Sequence, residues 1–300
     1  MIVFFSEKLV EATVGTSAKL GISTFIISVI VIGFDPENLG LGVVASYDGV
    51  TGIVVGTIIG SAMVAVALAL GITAVIAPMK FEQVPMQIPL LTVAAVVLFG
   101  VLSFDGELSR FDGIILLLAY CMAVWYLIYL ARSGLDVRPT GEAAEAIEEG
   151  TDLSRWQSIT MLAGSLVAII VGSEWVVWSS RELMVEFGLS DTLFGITIIA
   201  LLVSIEEVAR ELPAALKGRP EIAFGNVVGS VLAFFLCNAG VIALVRPVPI
   251  SSEVFNFYLP VSLGTVLFVA LLMIQKSISR WSGVILVLIY LLFFIRGYVW

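Results

Sequence analysis

The sequence has no histidine among its 300 residues and only two cysteines, and just 13% of it is charged. The first absence removes histidine acid–base chemistry and histidine-ligated metals. The cysteines, Cys121 and Cys237, each lie inside an apolar run and read as packed thiols rather than a redox or metal pair. Low charge with 60% hydrophobic residues departs from soluble domains, which are nearer 45–50% apolar and about 25% charged. No regular two-residue alternation runs through the apolar stretches, so a β-barrel is not expected. The N-terminus lacks the basic-then-apolar order of a signal peptide. No nucleophile stands beside a base and no ligand pattern has catalytic spacing. The expectation is therefore no enzyme, no cofactor and no nucleic-acid partner.

What is present is apolar length. Runs such as Ile53–Ala77, Ile114–Leu130, Ile159–Val177 and Val284–Ile295 approach or exceed what crosses a hydrocarbon core of about 30 Å. Ten segments are expected, at 2–18, 22–45, 52–77, 86–104, 111–132, 157–182, 190–217, 222–246, 256–275 and 282–299. The chain reads as an all-α membrane protein of about ten transmembrane helices, with the lipid bilayer as partner and a monomer compatible with the pattern. The long polar stretch "RSGLDVRPTGEAAEAIEEGTDLSR" marks a linker. It divides residues 1–132 from 157–300, with 133–156 between them. Placing that linker in the cytoplasm puts Lys19, Lys80, Arg132, Arg138, Arg155, Lys217, Arg219, Lys276 and Arg280 inside. Lys8, Arg110, Arg181, Arg246 and Arg296 then fall outside, and so do both termini of a multi-pass cell-membrane protein.

The two halves repeat one another. "GTIIGSAMVAVALALGITAVIAP" at 56–78 matches "GNVVGSVLAFFLCNAGVIALVRP" at 225–247, aligning Gly56 with Gly225, Gly60 with Gly229, Ser61 with Ser230, Gly71 with Gly240 and Pro78 with Pro247. "LSRFDGIILLLAY" at 108–120 matches "ISRWSGVILVLIY" at 278–290, and 6–23 matches 173–190. Five helices per half is odd, so tandem halves face opposite ways across the membrane. This is the inverted-repeat plan of many secondary transporters, with broken helices at the midplane.

The breaks coincide with charge. "IISVIVIGFDPENLGLGVVAS" carries Gly33, Asp35, Pro36, Glu37 and Asn38; its equivalent, "LFGITIIALLVSIEEVARELPAALK", carries Ser204, Glu206, Glu207, Arg210 and Glu211. Proline disfavours helix at the preceding residue, so the backbone is expected to open near 33–36. A carboxylate at the bilayer centre costs at least about 2.5–3.5 kcal/mol. Five acids against Arg210 leave a formal −4, and a hard cation is the natural partner. Calcium takes six to eight oxygens from carboxylates, hydroxyls and freed carbonyls. Arg210 is within helical reach of Glu206 and Glu207. Each residue also has a plainer reading: Glu207 as an ion-pair partner of Arg210, Glu37 as an interfacial residue, Asp35 as a helix cap, Ser61 and Ser230 as small packing residues. Thr57 and Asn226 are expected on opened backbone, and Glu211 beside the site rather than in it.

These residues resemble the calcium/cation antiporter superfamily, prokaryotic sodium/calcium exchangers in particular. Each repeat of that family carries a "GTSLPE"-like motif on a broken helix and "GN-x-x-GS" on the next. "GNVVGS" at 225–230 matches in full, and "GTIIGS" at 56–61 has Thr57 for the asparagine. The resemblance implies an antiporter exchanging a divalent cation, calcium foremost, for sodium or protons by alternating access. Counting back from "GNVVGS" puts Glu207 at the family glutamate. In the first repeat an ungapped count reaches Asn38, and a one-residue gap, preferred for its Pro–Glu match, reaches Glu37. Glu37 and Glu207 are thus the expected main carboxylates, joined by Asn38, Asp35, Ser61, Ser230, Glu206 and Ser204, with Arg210 and Glu211 modulating. Val203, Ala65 and Phe234 stand where the family has polar residues that help hold sodium. Those departures keep proton coupling, magnesium or another cation open, as does a non-transporting homologue with Arg210 filling the site.

Overall fold

The computed structural model describes residues 4, 5, 8, 35–81, 84–132, 155–218 and 220–299. Nearly all of the expected span 2–18, the start of span 22–45, most of the 6–23 repeat block, Gly33, Lys19, Arg138, Arg219 and nearly all of the linker lie outside the described residues.

The described chain is almost wholly helical. Helix α1 (Pro36–Asp48) is started by the Asp35 side chain, which accepts from the Asn38 backbone N–H, and by proline in its first turn. It stops at Gly49, whose φ of 76° lets the chain turn back and bond the last carbonyls. Helix α2 (Thr51–Ile76) follows at once, and α8 (Pro220–Val245) is its repeat counterpart. Both are apolar on all sides and mostly buried, which places them at the centre of the bundle. Each holds a π-helical stretch at the matching position, Val64–Ala69 and Ala233–Asn238.

Around this pair lie α3 (Gln87–Leu102), α4 (Arg110–Arg132), α5 (Arg155–Phe187), α6 (Asp191–Ser204), α7 (Glu206–Leu216), α9 (Val254–Ile274) and α10 (Arg280–Val299). Five of the described helices are long and apolar enough to cross a membrane, six if α6 and α7 count as one bent span. Helix α5 runs beyond the expected 157–182, because its polar ends remain helical. Helix α4 exposes Phe111, Ile114, Leu118, Met122, Trp125 and Tyr129 at three- and four-residue steps, a stripe suited to lipid. Cys121 shares that exposed side and is not packed, contrary to expectation, while Cys237 is half-buried. Asp112 lies in the first turn of α4, accepting from the Ser109 N–H and hydroxyl.

Two short antiparallel ladders tie the halves together. Strand β1 (Met79–Lys80) pairs with β4 (Ser277–Ile278), and β2 (Glu107–Leu108) with β3 (Val248–Pro249). They sit at opposite ends of α2. Arg246, beside β3, donates to the Tyr47 carbonyl just before α2 begins, whereas β1 follows where α2 ends. Lys80 and Lys276 gather at the β1·β4 end; Arg110, Arg181 and Arg246 gather at the other, bonding Val245, Asp48 and Tyr47. Glycine permits two crossings that mirror one another. A Cβ on Gly283 would lie 2.6 Å from the Gly71 carbonyl oxygen, and one on Gly113 would lie 2.8 Å from that of Gly240.

Candidate functional site

Two helix boundaries meet beside the central helices. One is the start of α1. The other is the junction of α6 and α7, where the axis bends 47° at Ile205. The expected span 190–217 is thus two helices, following a π-helical turn at Gly195–Ile199 that disturbs the regular ladder. The Asn38 side-chain amide donates to Ser204 Oγ at 3.3 Å and joins the two boundaries directly. Close helix approach sets this geometry. A Cβ on Gly56 would lie 2.1 Å from the Gly195 carbonyl oxygen, and one on Gly52 would lie 1.9 Å from the Asp191 carbonyl carbon. Asp191 secures the same crossing, accepting from the Gly52 N–H at 3.1 Å and the Thr51 hydroxyl at 3.4 Å. That staple was missed from sequence: Ser190–Asp191 signals a helix start, but not its partner on α2.

The carboxylates sort into two groups. Asp35, Glu37 and Glu206 each bring an oxygen within 4.8 Å of the others. Asp35 and Glu37 are buried and Glu206 is half-buried. Asp35 plays the capping part expected of it. It caps α1 through Oδ1, accepting the Asn38 N–H at 2.9 Å, and its Oδ2 accepts from Asn38 Nδ2 at 2.6 Å. Glu37 has no solvent exposure, and among the described residues neither of its oxygens has a hydrogen-bond partner.

The second group surrounds Glu207. Ser230 Oγ donates to its Oε1 at 3.2 Å, and Asn226 Nδ2 donates to its Oε2 and, at 3.2 Å, to Glu211 Oε1. Glu211 Oε2 is buried without a partner among the described residues. Asn226 was expected on opened backbone and instead binds two carboxylates. Thr57 donates to Val54 O, a carbonyl of its own helix, at 2.9 Å. Arg210 stands between the groups, with Nη2 2.8 Å from Glu206 Oε1 and Nη1 3.7 Å from Glu207 Oε1.

The hydrogen bonds reveal the repeat register. Ser61 Oγ donates to Asn38 Oδ1 at 2.6 Å, and Ser230 Oγ donates to Glu207, each across 23 residues. Asn38 is therefore the structural counterpart of Glu207, as the ungapped count has it, and not Glu37. Glu37 and Glu206 are counterparts one residue earlier, and their carboxylates fall in the same cluster. Ala65 and Phe234 are fully buried packing residues.

A formal −4 in a dry setting is costly without compensation. The available donors are hard oxygens, from carboxylates, hydroxyls and amides. Their chemistry suits an ion of the same hardness, or protons, moving on and off the carboxylates.

A family profile described as "Sodium/calcium exchanger protein" matches residues 1–129 and 157–298. The inner membrane protein YrbG of Escherichia coli (strain K12) is 28% identical over 292 residues, covering 95% of this chain and 89% of its own. The sodium/calcium exchanger MaX1 of Methanosarcina acetivorans is 27% identical over 327 residues, covering 97% and 93%. A solved structure of the sodium-calcium exchanger NCX_Mj, soaked with 10 mM Na+ and zero Ca2+, is similar in fold with a TM-score of 0.63 at 22% identity, covering 97% of this chain and 94% of that one.

Proposed function

The chain belongs to the sodium/calcium exchanger protein family, within the calcium/cation antiporter superfamily, and on that premise we propose that it is a secondary antiporter exchanging a divalent cation, calcium foremost, for sodium or protons. Cation exchange follows from the family; the divalent ion and its counter-ion are the proposal. The observation that carries it is Glu37, a fully buried carboxylate with both oxygens unpartnered among the described residues, within 4.8 Å of the carboxylates of Asp35 and Glu206. Such a group is stable when a cation or proton occupies it and costly when nothing does. Asp35, Glu37 and Glu206 are the cation's carboxylate ligands, with Asn38, Ser61 and Ser204 as the adjoining polar wall. Glu207 and Ser230 line the neighbouring network.

The mirrored crossings Gly71·Gly283 and Gly113·Gly240, and the ladders at opposite ends of α2, support two inverted five-helix repeats, 1–132 and 157–300. Alternating access is a rocking of one helical unit against the rest. The bias of Lys and Arg among the connecting segments, nine against five, supports a cytoplasmic linker with both termini outside. The Arg210–Glu206 contact favours a second reading, a homologue whose site is filled by its own arginine and which carries nothing.

Purified protein in calcium-loaded liposomes separates them. Efflux is measured with a sodium gradient, a proton gradient or neither. Coupled efflux that disappears in Glu37→Gln is expected. No divalent movement under any gradient, for calcium or magnesium, defeats the antiporter reading.

A further inference from the structure

We infer that Arg210 is a resident, tethered cation that bridges Glu206 and Glu207, so that this protein binds one divalent ion where its carboxylates would otherwise also hold a monovalent one. The inference rests on the cation position proposed at Asp35, Glu37 and Glu206.

Charge and geometry carry it together. The trio has a formal −3, and the guanidinium lies 2.8 Å from one of its members, Glu206. That leaves −2, the charge one divalent ion neutralises. The other side of Arg210 reaches Glu207 Oε1 at 3.7 Å. Glu207 is only 1% exposed and accepts from Ser230 and Asn226, so its oxygens face neutral donors and its charge is left for a cation to balance. Next to it, Glu211 keeps a buried oxygen without a partner among the described residues, held beside Glu207 by the shared Asn226 amide. Two buried carboxylates and a hydroxyl make a second set of hard oxygens, held together by the Asn226 amide nitrogen. Arginine suits the resident role. Its charge persists at all physiological pH, and its planar fork presents one nitrogen to each of two carboxylates. A lysine keeps the charge and loses the fork. A neutral residue loses both.

Removing the charge therefore opens the second position instead of merely weakening the first. Arg210→Gln gains one sodium per protein and binds calcium about tenfold or more tightly, because a neighbouring positive charge no longer opposes the ion. The experiment is equilibrium binding of radioactive calcium and sodium to purified protein in nanodiscs, with monodispersity checked by size exclusion. Wild type is expected to bind one calcium and no sodium alongside it. Arg210→Lys should behave as wild type in stoichiometry. The double variant Arg210→Gln with Glu207→Gln restores the local charge balance, and should keep calcium binding without the sodium gain. It also tests the idea if the single variant does not fold, because loss of calcium binding there makes Glu207 a ligand and overturns the assignment. Arg210→Gln with unchanged stoichiometry, or with weaker calcium binding, overturns it too. Absence of calcium binding in wild type defeats the underlying site instead, so the two failures are distinguishable.

Discussion

Replacing Gly56 by alanine tests whether the two central crossings are set by backbone contact. The new methyl would sit 2.1 Å from the Gly195 carbonyl oxygen and 2.4 Å from its carbonyl carbon. These are backbone atoms of a packed helix, so no side-chain rotation relieves the clash and α2 and α6 must part locally. Overpacking of this kind costs about 1–3 kcal/mol, and contact with fixed backbone belongs at the upper end. Alanine recovers at most about 1 kcal/mol of helix propensity. The net loss is about 2 kcal/mol or more, which for a chain of this size lowers the melting temperature by about 4 °C or more. Two other glycines calibrate the scale. Among the described residues, a Cβ on Gly100 would meet only the Leu259 side chain, nearest at Cδ2, 3.3 Å, and one on Gly264 meets nothing within 4 Å. Gly100→Ala should be close to neutral, and Gly264→Ala neutral to slightly stabilising. The assay is thermal unfolding in one detergent at one scan rate, followed by fluorescence-detected size exclusion. If Gly56→Ala melts with Gly264→Ala, the close crossing is not what holds the two motif-bearing helices together.

Glu37→Gln should raise the melting temperature of cation-free protein, because it replaces a buried, unpartnered carboxylate with a neutral amide. It should also abolish the stabilisation that calcium gives wild type, about 2.7 kcal/mol at a hundred times the dissociation constant. A cation-free variant less stable than wild type would mean that Glu37 already has a structural partner. Asp48→Asn removes the Arg181 ion pair at 3.3 Å, but both side chains are well exposed, so stability should change by no more than about 0.5–1 kcal/mol and liposome transport should match wild type.

The repeat was legible because glycine and serine recur at fixed positions in otherwise featureless apolar runs. Charge inside such runs pointed to the segments whose carboxylates cluster. Where side chains meet was less legible. The Pro36–Glu37 dipeptide looks like the family's Pro–Glu, and that local likeness favoured a gap. The Ser61–Asn38 and Ser230–Glu207 bonds, which depend on how α1 and α7 dock on α2 and α8, follow the ungapped register. The break at Ile205 had no proline to announce it. Asn226 was assigned to backbone because opened helices expose carbonyls, yet a buried amide beside two carboxylates has stronger acceptors at hand.

The register has a mechanical consequence. Adjacent residues on a helix point about 100° apart. Asn38 and Glu207 turn toward the serines of the central helices, so Glu37 and Glu206, one residue earlier, turn toward the opposite boundary and meet each other. In the proposed site the cation thus lies between the two motifs, not between a motif and its own glycine-rich helix. It draws on Asp35 and Glu37 from one side and Glu206 from the other. Any rocking that separates the start of α1 from the α6–α7 junction pulls its ligands apart, and an ion in place resists that motion. Glu206 is also the ligand that Arg210 touches at 2.8 Å. Because the guanidinium already balances one of the trio's three charges, a departing divalent ion leaves only two for sodium or protons to balance. The arginine thereby lowers the number of counter-ions required for release, and the coupling ratio of Arg210→Gln in liposomes should rise accordingly. An unchanged ratio would mean that Arg210 stays with Glu207 throughout the cycle.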